Sequence, residues 1–95
     1  MEIQHSDNKK EGIFYVEKDG KHLATMGYQH SGDHEITIDH TEVDPSLNGQ
    51  GVGHELIEAA VSYLRKNNMK AVATCPFVKS VFEKNQQEYK DIIQS

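Results

Sequence analysis

The stretch Glu42-Val43-Asp44-Pro45-Ser46-Leu47-Asn48-Gly49-Gln50-Gly51-Val52-Gly53-His54 decides how the chain is read. Before it, Glu35 to Val43 alternates apolar and polar residues, the pattern of a half-buried strand. After it, Val52 to Lys66 repeats its apolar residues at helical spacing. The glycines at 49, 51 and 53 fall where that helix must begin. Glycine permits a tight turn and a close approach, and a first helical turn leaves N–H groups unpaired at the positive end of the dipole. The guest that suits such a junction is a phosphate.

Upstream, Glu11 to Glu17 is rich in β-formers and Asp19-Gly20 is a hairpin turn signal. A second strand over Lys21 to His30 places Leu23, Thr25 and Gly27 on one face and His22, Ala24, Met26 and Tyr28 on the other. Ser31-Gly32-Asp33 turns the chain again. The third strand, His34 to Val43, then puts Ile36, Ile38, His40 and Glu42 on one face and Thr37, Asp39 and Thr41 on the other. These three strands predict an antiparallel meander.

Asp44-Pro45-Ser46 ends the strand pattern. In the helix that follows, Val52, Leu56, Ala60, Tyr63 and Leu64 share the apolar face, and Asn67-Asn68 supplies a left-handed cap. Met69 to Cys75 reads as a short buried strand. Strand, helix and strand make a right-handed crossover with the strands parallel, so the third and fourth strands should lie side by side. Pro76 suits the first position of another helix, with Cys75 as its N-cap. Tyr89, Ile92 and Ile93 predict a last helix within Gln86 to Ile93, anchored by Tyr89.

With 95 residues, the chain has room for one small core. The expectation is a single domain over residues 11–95, preceded by a flexible N-terminus or edge strand over residues 1–10. A net charge of −5 with no cluster of Lys or Arg argues against a nucleic-acid partner. No apolar run approaches the roughly 20 residues of a membrane span, and no signal-peptide core is present, so a cytoplasmic location without membrane contact is expected. The lone cysteine, Cys75, fits a reducing compartment. His30 and His34 flank a turn rather than share a helix, so no metal site is expected.

The glycine junction lacks the G-x-G-x-x-G spacing and the Gly-Lys-Ser/Thr ending of the two common nucleotide loops. It resembles the signature of the GNAT acyltransferase superfamily, Arg or Gln, two residues, Gly, one residue, then Gly or Ala. Asn48 stands at the first position, and Gly51 and Gly53 at the glycines. The run H-T-E-V-D-P-S-L-N-G-Q-G-V-G-H-E-L, with T-C-P-F-V at Thr74 to Val78 and E-Y at Glu88-Tyr89, is similar to a small single-domain subset of that superfamily. The resemblance implies a mixed α+β reduced GNAT fold: a three-strand antiparallel meander, a glycine turn, a crossover helix, a parallel fourth strand and one or two C-terminal helices. It also implies acetyl-CoA as co-substrate. The pyrophosphate of coenzyme A would lie on Asn48, Gly49, Gln50, Gly51, Val52, Gly53 and His54, and the pantetheine arm near Val43 where strands three and four splay.

Three residues are candidates for chemistry. Cys75, between a strand end and a helix start, sits where a thiol pKa is lowered, and it could carry an acetyl group; equally, free cysteine often serves as a small buried apolar residue. Its case is strengthened because Phe82 stands where larger members carry a tyrosine proton donor. Glu42 and His40 could take the proton from an attacking amine, place an ammonium, or simply be solvated at a sheet end. The function implied is acetyl transfer from acetyl-CoA to an unidentified amine, on a small molecule, a protein lysine or an N-terminus. The alternative is a non-catalytic module on the same fold that binds coenzyme A, acyl-CoA or another protein.

Overall fold

The computed structural model describes residues 2–94. Five strands form one sheet in sequence order: β1 (Gln4–Asp7), β2 (Glu11–Lys18), β3 (Lys21–Gly32), β4 (Glu35–Val43) and β5 (Lys70–Ala73). The first four are antiparallel neighbours and β5 runs parallel to β4. Helix α1 (Val52–Lys66) makes the crossover, and α2 (Pro76–Lys84) and α3 (Gln86–Tyr89) follow β5.

Local chemistry explains the joins. Asp19 and Gly20 both have positive φ, 52° and 78°, the tight hairpin turn whose twist matches its strands. Asn68, at φ 55°, takes the left-handed conformation just beyond α1. The core is one layer between the sheet and the helices: Phe14, Val16, Ala24, Met26, Tyr28, Ile36 and Ile38 meet Leu56, Ile57, Ala60, Val61 and Leu64 of α1, with Val78, Val81 and Phe82 of α2. Each sheet member of this set alternates onto the same face.

Two elements differ from the periodicity reading. The helix expected through Ile93 stops at Tyr89; Ile93 instead forms a parallel bridge to Ala71, with Ala71 N–H donating to Ile92 O at 2.7 Å and Gln94 N–H to Ala71 O at 2.9 Å. The outer edge of β5 offers those hydrogen bonds, and apolar residues at helical spacing satisfy an extended segment equally well. The second difference lies in β4. Gly27 pairs with His40 but Tyr28 pairs with Ile38, which leaves Asp39 as an extra residue, a β-bulge. Past the bulge the alternation is reversed.

At the far end of the sheet, Asp7, Gly12 and Tyr28 lie in one row across β1, β2 and β3. The Tyr28 ring lies over Gly12 and donates its hydroxyl to Asp7 Oδ2 at 2.6 Å; His30 Nε2 meets the same oxygen at 2.7 Å and His5 Nε2 meets Tyr28 Oη at 2.6 Å. His5 also stacks on Phe14, with ring centroids 4.1 Å apart. These contacts fasten the edge strand to the sheet.

Candidate active site

The site lies where β4 and β5 part. Their ladder ends at Ile38↔Ala73, whereas β4 continues alongside β3 to Val43↔Ala24. Both Thr74 N–H and Cys75 N–H turn back to Ile38 O, at 3.0 and 3.2 Å, which closes the ladder and lets β5 leave. From residue 39 to residue 43 the edge of β4 toward β5 therefore has no strand beside it, and a cleft opens.

The bulge decides which side chains face that cleft. With Asp39 inserted, Thr41 and Val43 take the helix-covered face, and His40 and Glu42 take the other. This corrects the expectation that His40 and Glu42 share a face with Ile36 and Ile38. Their side chains are 59% and 77% exposed and pair with each other at 3.5 Å. It is Thr41 that reaches Cys75, whose thiol donates to the Thr41 hydroxyl oxygen at 3.3 Å. Plain alternation hid Thr41, because one inserted residue leaves no mark in composition.

Cys75 is buried and stands at the N-cap of α2, though its sulfur closes no cap hydrogen bond. Burial opposes ionisation, yet the Thr41 hydroxyl and the Val78 and Phe77 amides outweigh it, and the thiol pKa lies below the ordinary cysteine value; the Asp39 carboxylate works against them.

The glycine turn forms the other end of the cleft. Asp44 caps a short 3-10 turn, Pro45–Leu47, by accepting from Ser46 N–H at 2.9 Å. Gly49 and Gly51 then adopt φ of 80° and 70°, values that disfavour any side chain. Glu55 N–H is the first to bond back into α1, to Gly51 O at 3.1 Å, so the amides of Val52, Gly53 and His54 point out of the helix end. Gln50 N–H, expected among the free donors, instead donates to Leu47 O at 3.3 Å.

Gly53 has a different reason to be glycine. Its φ is not positive, but a Cβ there would fall 2.8 Å from the ring of Phe77. Among the described residues Phe77 is the large apolar residue left exposed, and its ring also meets the edge of His54 at 6.0 Å between centroids. Thr41, Val43, Asn48, Gly51, His54 and Phe77 line a groove of about 310 Å³ between the turn and the free end of β4. Mostly apolar, it borders the first turn of α1, where free helix amides suit a phosphate. Phe82 has no hydroxyl and is buried against Tyr89, with ring centroids 5.5 Å apart; the Tyr89 hydroxyl donates to Glu58 at 2.6 Å, and neither residue lines the groove. Among the described residues no cluster of His, Cys, Asp or Glu could hold a metal, and no helix is long and apolar enough to cross a membrane.

A strand pair that splays beside a glycine turn, with a crossover helix behind it, defines the N-acetyltransferase class of fold. A family model described as GCN5-related N-acetyl-transferase matches residues 13–92, and the chain belongs to that family. It is similar to the chicken (Gallus gallus) protein named NATD1, 29% identical over 84 residues that span 87% of this chain and 76% of the relative. Among solved structures, a GCN5-like protein from Staphylococcus aureus superimposes with a TM-score of 0.76 at 37% identity, over 99% of this chain and 88% of that one. An aminoglycoside N-acetyltransferase solved in complex with CoA shares the fold, with a TM-score of 0.63 at 13% identity over 87% and 88% of the two chains.

Proposed function

We propose that residues 11–95 act as one acetyl-CoA-dependent N-acetyltransferase domain, with coenzyme A in the groove between the glycine turn and the free end of β4. The observation that carries this reading is the end of the β4–β5 ladder at Ile38↔Ala73, which opens a cleft with Thr41, the partner of the buried Cys75 thiol, at one end and the first turn of α1 at the other. The amides of Val52, Gly53 and His54 hold the pyrophosphate, and the dipole of α1 favours its charge. Gly49 and Gly51 shape the turn, Asn48 and Gln50 flank it, and the free edge of β4 near Val43 pairs with the amides of the pantetheine arm.

In this reading Cys75, as thiolate, attacks the acetyl-CoA carbonyl. The bond from that carbonyl to the coenzyme sulfur breaks, and the departing thiolate takes a proton from solvent. The acceptor amine then attacks acetyl-Cys75 and forms the amide, while Cys75 leaves as the thiolate held by Thr41. His40 and Glu42, paired on the uncovered face beside the cleft, receive the proton that the amine gives up. A free thiol and a coenzyme A ligand both fit the reducing cytoplasm.

The experiment is intact-mass measurement after incubation with acetyl-CoA and no acceptor. One added acetyl group, absent in Cys75→Ala, supports the covalent route. No adduct together with rapid transfer to an added amine would replace it with direct attack. CoA binding with neither adduct nor transfer would leave a binding module, the role toward which the buried Phe82, with no phenol to donate, points.

A further inference from the structure

Coenzyme A brings a polyanion to the glycine turn, yet the fixed cations of this chain stand elsewhere. From His22 to Leu64, a span that includes β4, the turn and all but the last two residues of α1, there is no Lys or Arg. Asn48 occupies the position that holds Arg or Gln in the superfamily signature. Lys79 of α2 lines a different groove, over β5, beside Phe82 and Ile93. Among the described residues that line the groove at the turn, His54 alone can become a cation.

His54 is also held in place and unengaged. It is the third residue of α1 and exposed. Its ring packs against Phe77, with centroids 6.0 Å apart and planes at 77°, and Phe77 in turn lies over Gly53. Ring nitrogens of His5, His22, His30 and His40 meet Tyr28, Glu17, Asp7 and Glu42. Those of His54, by contrast, meet no protein group among the described residues, since its partner is the apolar Phe77. The other walls of the groove are uncharged: Thr41 and Val43 of β4, Leu47, Asn48 and the glycines of the turn, and Phe77 of α2. The titratable thiol of Cys75 is buried behind Thr41. Nearby acids are committed, Asp44 to Ser46 N–H at 2.9 Å and Glu58 to the Tyr89 hydroxyl at 2.6 Å. Glu55 is the next residue of α1, and adjacent residues of a helix do not face each other.

We propose that His54 is the charge partner of the coenzyme in this chain: as imidazolium it donates to the pyrophosphate, and donor affinity rises as pH falls. This rests on the acetyltransferase reading above and adds the control of that same site. Phosphate oxygens beside the ring favour its protonated form, and by linkage the protonated ring holds them more tightly. A hydrogen bond between charged groups is roughly twice as strong as a neutral one, and histidine is the side chain whose charge changes between about pH 5 and 8. Binding therefore takes up a proton from solvent in that range, and acidification loads the domain with donor without a change of fold.

The test is calorimetry with 3′-dephospho-CoA, whose pyrophosphate keeps its charge between about pH 5.5 and 8, and with pantetheine, which has the arm and thiol but no phosphate. The affinity for dephospho-CoA should fall roughly ten-fold from the acid to the alkaline end, with net proton uptake read from buffers of different ionisation heat. Pantetheine should show neither effect, which separates His54 from the Cys75 thiol. In His54→Gln the affinity should stay at the parent's alkaline value at every pH, and in His54→Arg at its acid value. A flat profile in the parent, an equally steep profile in His54→Gln, or the same profile with pantetheine would overturn the proposal. Failure of the underlying reading looks different, since neither dephospho-CoA nor CoA would then bind in any variant at any pH.

Discussion

Gly12→Ala tests how the edge of the sheet is held. The Cβ it adds would lie 2.3 Å from both Cζ and Oη of Tyr28 and 2.8 Å from Cε2. Ring carbons approach no closer than about 3.5 Å, so the ring must move by about 1 Å. Overpacking of this kind costs about 1–3 kcal/mol. The displaced hydroxyl also loses Asp7 and His5, both at 2.6 Å. A hydrogen bond to a charged group contributes about 1.5–3 kcal/mol, toward the low end here because Asp7 is partly open to water. Alanine returns about 0.4–1 kcal/mol through the unfolded chain. The net expectation is a loss of about 2–4 kcal/mol, read as a lower urea midpoint at unchanged slope. Tyr28→Phe should lose only the hydrogen-bond share, and Gly12→Ala combined with Tyr28→Ala should recover none of it while relieving the clash. A Gly12→Ala variant within about 0.5 kcal/mol of the parent would refute the assignment of Gly12 as the floor under Tyr28.

Other perturbations follow from the same contacts. Burial works against the Asp7 carboxylate, but Tyr28, His30 and the Lys9 amide hold its pKa down to about 2. A depressed folded pKa contributes stability that is full above about pH 4 and lost as pH falls toward 2, about 1 kcal/mol after solvent screening. Acid titration of unfolding should show this loss, and Asp7→Asn should flatten it. Gly53→Ala should weaken CoA binding roughly ten-fold by forcing the Phe77 ring into the groove; Phe77→Ala should restore room in the double variant, as calorimetry would read. Thr41→Val should raise the Cys75 pKa, so the pH at which iodoacetamide alkylation reaches half its plateau moves up. An unmoved midpoint would remove Thr41 from the site.

Much of the fold was legible because its signals are local. Asp19-Gly20 needs positive φ and marks its turn; the apolar face of α1 repeats over fifteen residues; Pro76 and Cys75 mark the start of α2. The glycine junction was legible as the turn that starts α1, although its glycines prove to serve two ends: conformation at 49 and 51, clearance for Phe77 at 53. What escaped was set by partners distant in sequence. The bulge at Asp39 follows from how β4 pairs with β3, and Asp39, His40 and Thr41 fit a strand in either register. It exchanged His40 for Thr41 beside Cys75. Likewise Ile92 and Ile93 satisfy a helical period, and only the open edge of β5 selects the extended form.

The most direct test of the central claim is a titration of the labelled protein with CoA, followed amide by amide. The account predicts saturable shifts at Val52, Gly53 and His54, at Thr41 and Val43, and at Phe77, with a rise in melting temperature as CoA increases. No shift at those amides and no rise in melting temperature at millimolar CoA would contradict it.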